Sequence, residues 1–284
     1  MIVFKWKSDL MQHLNERREG GSKIGFVPTM GALHAGHISL LQRSMGDGCY
    51  SVTSIFVNPT QFNNAEDLEK YPRTSGADIA LLEAAGCDVL YMPEVVDIYD
   101  GKEEMSEIPR GGLDTLLEGA SRPGHFAGVA GVVRILLEAV RPDKLYMGQK
   151  DYQQTLVVQQ MLEHTQSKVQ LVRCPIVRED NGLAMSSRNV RLSPEMREHA
   201  CCIYQTMVKA AAQSARRELP VIEQESKEHL NSQPGYEVDY FGFYDAMTLE
   251  PLRHLPSGNG MVLLTAVWVN GVRLLDNILV QDND

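Results

Sequence analysis

The feature that most restricts the fold is an alternation. Between residues 23 and 174, short apolar runs take turns with longer stretches of helical periodicity. The strand-like runs are 23–27, 50–57, 88–91, 144–147 and 169–174. The helix-like stretches are 37–45, 75–85, 126–140 and 151–165. An earlier helix carries Leu10, Met11 and Leu14, with Ser8 as its expected cap. Strands separated by helices of about ten or more residues must pair in parallel through right-handed crossovers. The expected fold is therefore α/β, a Rossmann-like parallel sheet with flanking helices over residues 1–175. On such a sheet, ligands bind at the carboxyl ends of the strands, where the strand order reverses.

The pattern changes after Pro175. Ser193-Pro194-Glu195 has the cap-then-proline form of a helix start. The spacing predicts one long helix to about Arg217, then a second over 222–230. Three strand-like runs follow at 238–244, 261–268 and 273–280, the last two joined by a hairpin signal, Asn270-Gly271. Residues 176–284 read as a smaller α+β domain.

Composition narrows the function classes. Lys plus Arg number 27 against 37 Asp plus Glu, a formal charge of −10. Such a chain is poorly suited to wrapping nucleic acid, although a local basic site can still hold phosphate. Five cysteines with no C-x-x-C pair suit a reducing compartment. The N-terminal residues have charges every few positions and no signal-like apolar run, and no stretch approaches membrane-spanning length. These features place the expected protein in the cytoplasm, away from membranes.

Four segments carry chemistry; the first three follow strands, and the fourth follows Asp180-Asn181-Gly182. The first is PTMGALHAGH at 28–37. Gly31 and Gly36 admit close backbone approach, while His34 and His37 flank a helix start whose amides and dipole favour phosphate. A zinc site is disfavoured, because no Glu lies between the histidines and no third ligand is evident. The second is VNPTQF at 57–62, where Gln61 can address a small polar substrate. The third, GQKDYQQ at 148–154, offers Lys150 as a cation, Asp151 as a helix cap, and Gln154 one turn beyond the lysine. The fourth is AMSSRN at 184–189, whose hydroxyls and arginine suit a polyphosphate. Singly, each has a bland reading as a packed, capping or solvated segment.

Taken together, their order and spacing resemble the pantothenate synthetase family, the pantoate–β-alanine ligases of the HIGH-motif nucleotidyltransferase superfamily. YPRT at 71–74 and LEG-x-SRPGHF at 117–126 also occur in family order, so the resemblance covers essentially the whole chain. It implies that pantoate and MgATP form an enzyme-bound pantoyl adenylate with release of pyrophosphate. The β-alanine amine then attacks the acyl carbon, giving pantothenate and AMP.

Carried over by motif position, the resemblance assigns Met30, Gly31, His34, Gly36, His37, Gly148, Gln149, Lys150, Asp151, Val177, Met185, Ser186, Ser187 and Arg188 to ATP. Of these, His34, His37, Lys150 and Arg188 would be catalytic, neutralising charge that builds on the phosphoryl oxygens. Pantoate would meet Pro28, Met30, Gln61, Val132, Val133 and Gln154, and Gln61 would also lie near β-alanine. Magnesium would be held mainly by the phosphates, with Asp78 as an outer contact. The resemblance also implies a homodimer, and the smaller domain would cover the ATP site. Residues 118–126, with Gly119, Pro123 and Gly124, are expected to form a lid that shields the reactive anhydride.

Two positions depart from the family's usual pattern. Gln149 stands where Glu is common, beside the lysine, and Met147 where Phe is frequent, on the pantoate wall. Two other readings compete. One is a nucleotidyltransferase acting on a phosphate ester, against which the paired Gln61 and Gln154 and the SSRN block argue. The other is a non-catalytic nucleotide-binding module, which would be expected to lose some of His34, His37, Lys150 and Arg188. A synthetase acting on transfer RNA is disfavoured by the small acidic chain.

Overall fold

The computed structural model describes residues 1–62, 68–69, 71–99, 111–256, 258 and 260–280. The chain divides into two compact units. The first comprises residues 1–148 and 153–175, and the second residues 149–152 and 176–284.

The first unit is built on a six-stranded parallel sheet in the order β1-β4-β3-β2-β5-β6. Its strands are β1 (Ile2–Phe4), β2 (Ile24–Thr29), β3 (Tyr50–Ile55), β4 (Val89–Tyr91), β5 (Lys144–Gly148) and β6 (Gln170–Cys174). The order reverses between β2 and β5, so the segments leaving their carboxyl ends flank the switch point. Beta2 runs through Pro28 to Thr29, two residues beyond the expected end. Its pairing with β5 stops at Phe26, so the proline stands where one side of the strand is open. Beta1 has no counterpart in the sequence pattern: it has three residues, with Ile2 and Val3 exposed, and pairs along the edge with β4.

Helices α1 (Lys7–Glu19), α2 (Ala35–Gly46) and α3 (Ser75–Ala84) come from the periodic stretches. Ser8 does not cap α1. Trp6 occupies that position without a side-chain bond, and the Ser8 hydroxyl donates to Asp9 Oδ1 at 3.1 Å. Two short helices, α4 (Val95–Tyr99) and α5 (Leu117–Ser121), interrupt the stretch that sequence leaves irregular. Next come α6 (His125–Val140), buried along most of its length, and α7 (Tyr152–His164). Helix α2 starts at Ala35 rather than at His37, because His34 is itself the cap.

The second unit joins helices to a three-stranded antiparallel sheet, β7 (Tyr236–Asp245), β8 (Met261–Val269) and β9 (Val272–Val280), in that order. Asn270 and Gly271 both have positive φ, 45° and 76°, as a two-residue hairpin turn with the strands' twist requires. The expected long helix is two: α8 (Pro194–His199) and α9 (Cys201–Gln213). Ala200 has ψ −11°, and Ile203 N–H reaches back only to the Ala200 carbonyl at 3.2 Å, so the four-residue ladder breaks there. Ala200 is fully buried, which fixes the break against the core. Helix α10 (Leu219–Asn231) starts three residues before the expected position, with Pro220 in its first turn. Leu263, Phe241 and Phe243 from the sheet pack in one core with Ile203, Met207, Ile222 and Leu230 from α9 and α10.

Candidate active site

The candidate residues fall into two groups, one in each unit. In the first unit, the chain leaving β2 turns through Gly31 (φ 81°) and Ala32 (φ 50°) before α2. Asp78 clamps this turn. Its Oδ2 accepts the Ala32 N–H at 3.0 Å, its Oδ1 accepts the Leu33 N–H at 2.8 Å, and the Thr74 hydroxyl donates to it at 3.2 Å. The carboxylate is 2% exposed. Thr29 completes the support, donating to the Ser54 carbonyl and accepting the Gly31 N–H.

His34 caps α2 with its ring. Its Nδ1 accepts the Gly36 N–H at 3.1 Å, and its own N–H donates to His37 Nδ1 at 3.3 Å. A nitrogen that accepts a backbone N–H carries no proton, so in this arrangement both rings are protonated on Nε2. The two rings lie 4.1 Å apart between centroids, at the positive end of a twelve-residue helix. They form a pair of oriented donors beside Met30, Gly31 and Gly36.

Gln61 lies 6% exposed in the short turn Pro59–Gln61 after β3. Its Nε2 contacts Met30 Sδ at 2.7 Å, and Asn58 Nδ2 donates to its Oε1 at 3.4 Å. Asn58 is fixed in turn: its Nδ2 donates to the Gly128 carbonyl, and its Oδ1 accepts from Thr60 and from the Tyr99 hydroxyl. His125, at the start of α6, bonds the Gln61 carbonyl through Nδ1 at 2.9 Å. The structure thus brings Gln61 and Met30 together. Val132, Val133 and Met147 are buried, and Pro28 and Gln154 half-buried. A cleft of about 570 Å³, lined by Met30, Gly31, Val57, Pro59, Arg73 and Asp78 among others, meets this group at Met30.

The segment expected to be a lid is anchored at both ends. Glu118, Gly119, His125 and Phe126 are buried, and only a short turn around Ser121, Pro123 and Gly124 is exposed. Gln153 holds its first end, accepting the Glu118 N–H and donating to the carbonyls of Leu113 and Leu116.

In the second unit, Gln149–Asp151 forms a single 3-10 turn. Lys150 is 19% exposed at its side chain, with Asp151 Oδ1 at 3.5 Å from Nζ. Lys150 and Ser186 line one small cavity together with Asp276 and Asn189. Val177 and Met185 face each other across a backbone bond of 3.0 Å, because residues 178–184 form a tight hairpin with Gly182 at φ 98°. Ser186 caps the next 3-10 turn by accepting the Arg188 N–H, so Ser186, Ser187 and Arg188 are presented on one turn. Asn189, 1% exposed, anchors that turn by donating to Glu179 Oε1 and to the Ala184 carbonyl. Asp276 accepts both guanidinium nitrogens of Arg178 at 2.6 and 2.8 Å, and that guanidinium lies 3.5 Å over the Tyr204 ring. Burial pushes the Asp276 carboxyl up, and Arg178 pulls it down.

Several supporting residues escape a reading of the sequence: Asn58, His125, Gln153, Asp276 and Asn277. Asn58, His125 and Gln153 lie inside recognised blocks, but nothing in the pattern gives them these supporting roles; Asp276 and Asn277 lie outside every block, and a single buried amide or carboxylate has no spacing pattern. Asp78 enters the sequence reading only as an outer magnesium contact implied by the resemblance, and its role as the clamp of the histidine turn is not visible there.

The family model described as pantoate–β-alanine ligase matches residues 2–279. The pantothenate synthetase of Bacteroides thetaiotaomicron is 43% identical over 278 residues, covering 98% of both chains. That of Cytophaga hutchinsonii is 42% identical over 282 residues and covers 99% of both. The crystal structure of pantothenate synthetase from Thermus thermophilus superposes with a TM-score of 0.91 at 38% identity, covering 99% of both chains. A pantoate–β-alanine ligase from Francisella tularensis, complexed with β-γ ATP and β-alanine, superposes at 0.81 with 35% identity, over 98% of this chain and 97% of that one. Matched in sequence and in fold over nearly its whole length, the chain belongs to the pantoate–β-alanine ligase family.

Proposed function

We propose that the chain joins pantoate to β-alanine through a pantoyl adenylate, with the histidine pair of α2 and the Lys150 and SSRN turns acting on ATP. The observation that carries this reading is the His34–His37 cap, in which both rings accept backbone N–H groups through Nδ1 at a helix N-terminus. Such a site suits an oxyanion that gains charge during the reaction.

In the first step a pantoate carboxylate oxygen attacks the α-phosphorus and pyrophosphate leaves. His34 and His37 donate to the phosphoryl oxygens, and Lys150 and Arg188 neutralise the growing charge. Met30, Gly31, Gly36, Gly148, Gln149, Asp151, Val177, Met185, Ser186 and Ser187 surround the nucleotide. Gln61 and Gln154 hold the pantoate hydroxyls and carboxylate, while Pro28, Met30, Val132 and Val133 wall its methyl groups. In the second step the β-alanine amine, near Gln61, attacks the acyl carbon and AMP leaves.

Magnesium enters this reading as part of the MgATP substrate. Among the described residues no group of three or more His, Cys, Asp or Glu could hold a metal ion, and the Asp78 oxygens are engaged by the turn. Asp78 is therefore better supported as a clamp than as a metal contact. We further read residues 1–175 as the nucleotide- and pantoate-binding domain, 176–284 as the cover of the ATP site, the assembly as a homodimer, and the compartment as the cytoplasm. Among the described residues, no helix is long and apolar enough to cross a membrane, and the five cysteines are free.

The experiment uses pantoate labelled with ¹⁸O in its carboxylate, together with β-alanine and ATP. One labelled oxygen is expected in AMP and none in pyrophosphate, because the attacking oxygen becomes the bridge to phosphorus. ADP as product, or label in inorganic phosphate, would mean an acyl-phosphate route and overturn the mechanism.

A further inference from the structure

Strand β9 carries two consecutive buried polar residues at its middle, Asp276 at 6% and Asn277 at 2% exposure. Successive strand residues point to opposite faces, so the two serve different partners. Asp276 takes Arg178 on one side. On the other, the Asn277 carboxamide meets the turn that carries Lys150. Its Nδ2 donates to the carbonyls of both Gln149 and Lys150, each at 2.9 Å, and its Oδ1 accepts from Gln149 Nε2 at 3.0 Å. Both amide hydrogens and the oxygen are used. The Asn277 N–H donates to Asp276 Oδ1 at 2.7 Å, which ties the carboxamide to the Arg178 ion pair.

We propose that Asn277 is a positioning residue for Lys150, its buried carboxamide clamping the two carbonyls of the turn from which the lysine projects. A 3-10 turn of three residues has almost no internal hydrogen bonding of its own. Its geometry must come from outside, and the bonds to Gln149 and Lys150 supply it at the lysine's own peptide. The same contact gives Gln149 a role. Its Nε2 donates to the Asn277 oxygen, a bond that a Glu side chain at this position could not make in this orientation of the carboxamide. The proposal rests on the reading of Lys150 as the cation that meets the developing pyrophosphate. A lysine displaced by a fraction of an ångström still binds ATP but meets the transition state poorly, so the loss falls on the rate.

The test is a double-mutant cycle on adenylation, read as single-turnover pyrophosphate release at saturating ATP and pantoate. Asn277→Ala is expected to slow the step by roughly 10–100-fold, with the pantoate KM moved by less than about twofold. In a Lys150→Ala background the same substitution is expected to have almost no further effect, because the group being positioned is gone. Gln149→Glu is expected to slow the step in the same direction by a smaller factor. Asn277→Asp keeps the size and the oxygen facing Gln149 but removes both donors, and it serves if the alanine variant does not fold. A rate for folded Asn277→Ala or Asn277→Asp within about threefold of wild type overturns the proposal. So does an Asn277 effect that persists undiminished without Lys150, and so does failure of both Asn277 variants to fold, which would make the residue purely structural. A wild-type rate for Lys150→Ala alone instead overturns the reading of Lys150 on which the proposal rests.

Discussion

Buried amides and carboxylates hold nearly every loop that presents a candidate reactive group. Asp78 holds the histidine turn, Asn58 holds Gln61, Asn189 holds the SSRN turn, and Asn277 holds the lysine turn. Each is nine-tenths buried or more, so each bond lost would leave an unsatisfied partner at a cost of about 1–3 kcal/mol. The half-buried partners of these clamps were legible in the sequence, because histidines, lysine and serines in loops carry a chemical meaning. The clamping roles were not: those of Asp78 and Asn277 depend on contacts far along the chain, and those of Asn58 and Asn189 on turn geometry that no spacing encodes. Gln61 stands between the two kinds. Both its side chain and its carbonyl are held, by Asn58, Met30 and His125, so its neutral carboxamide is held in place to meet hydroxyl and carboxylate groups of a small substrate. Gln61→Ala is expected to raise the KM for pantoate by tenfold or more, about 1.4 kcal/mol, while the KM for ATP stays within about twofold. Steady-state kinetics with each substrate varied in turn checks this, and equal shifts for both would contradict the assignment.

Helices and strands were read from periodicity, and the eight strands other than β1 and most long helices lie close to where the spacing put them. What the periodicity did not carry was set by packing. Beta1 is too short and too exposed to have a pattern, and the split between α8 and α9 is imposed at a buried alanine with good helix propensity. The seating of α2 on the sheet is another packing matter. A Cβ on Gly25 of β2 would come within 2.1 Å of Ser44 Oγ and 2.9 Å of Cys49 Cβ, so the helix lies as close as a bare backbone allows. Ser44 is fully buried there and shares a 2.7 Å hydrogen bond with Ser51 of β3. Gly25→Ala is therefore expected to destabilise the protein by about 1–3 kcal/mol through overpacking. Because α2 carries the His34 cap, the variant should also lose adenylation rate. Urea unfolding measures the first effect, and adding Ser44→Ala should recover part of it.

Across the whole molecule the charge balance is acidic, −10 at neutral pH, so acid stability depends on which carboxylates resist protonation. Asp47, at the C-terminus of α2, is the strongest case. The Lys144 ammonium at 2.8 Å, the Tyr146 hydroxyl at 3.0 Å and the Arg43 guanidinium at 3.1 Å hold its carboxyl down to about 2. Lys144 and Tyr146 lie on β5, so this carboxylate ties the end of α2 to the strand beside the switch point. The folded pKa is lowered, and an unfolded Asp titrates near about 3.9. The ionised form is therefore favoured by folding, and the stability it brings is fully present above about pH 4. That stability is lost as pH falls through the folded value near 2. Asp47→Asn should accordingly lower the urea midpoint by a constant amount from pH 8 to pH 5. The gap from wild type should narrow from about pH 4 downward and be mostly gone by pH 2, where the folded wild-type carboxyl is about half protonated. Midpoints taken across that range by tryptophan fluorescence provide the check, and a gap as large at pH 2 as at pH 7 would show that the asparagine acts through packing at the end of α2 and not through charge.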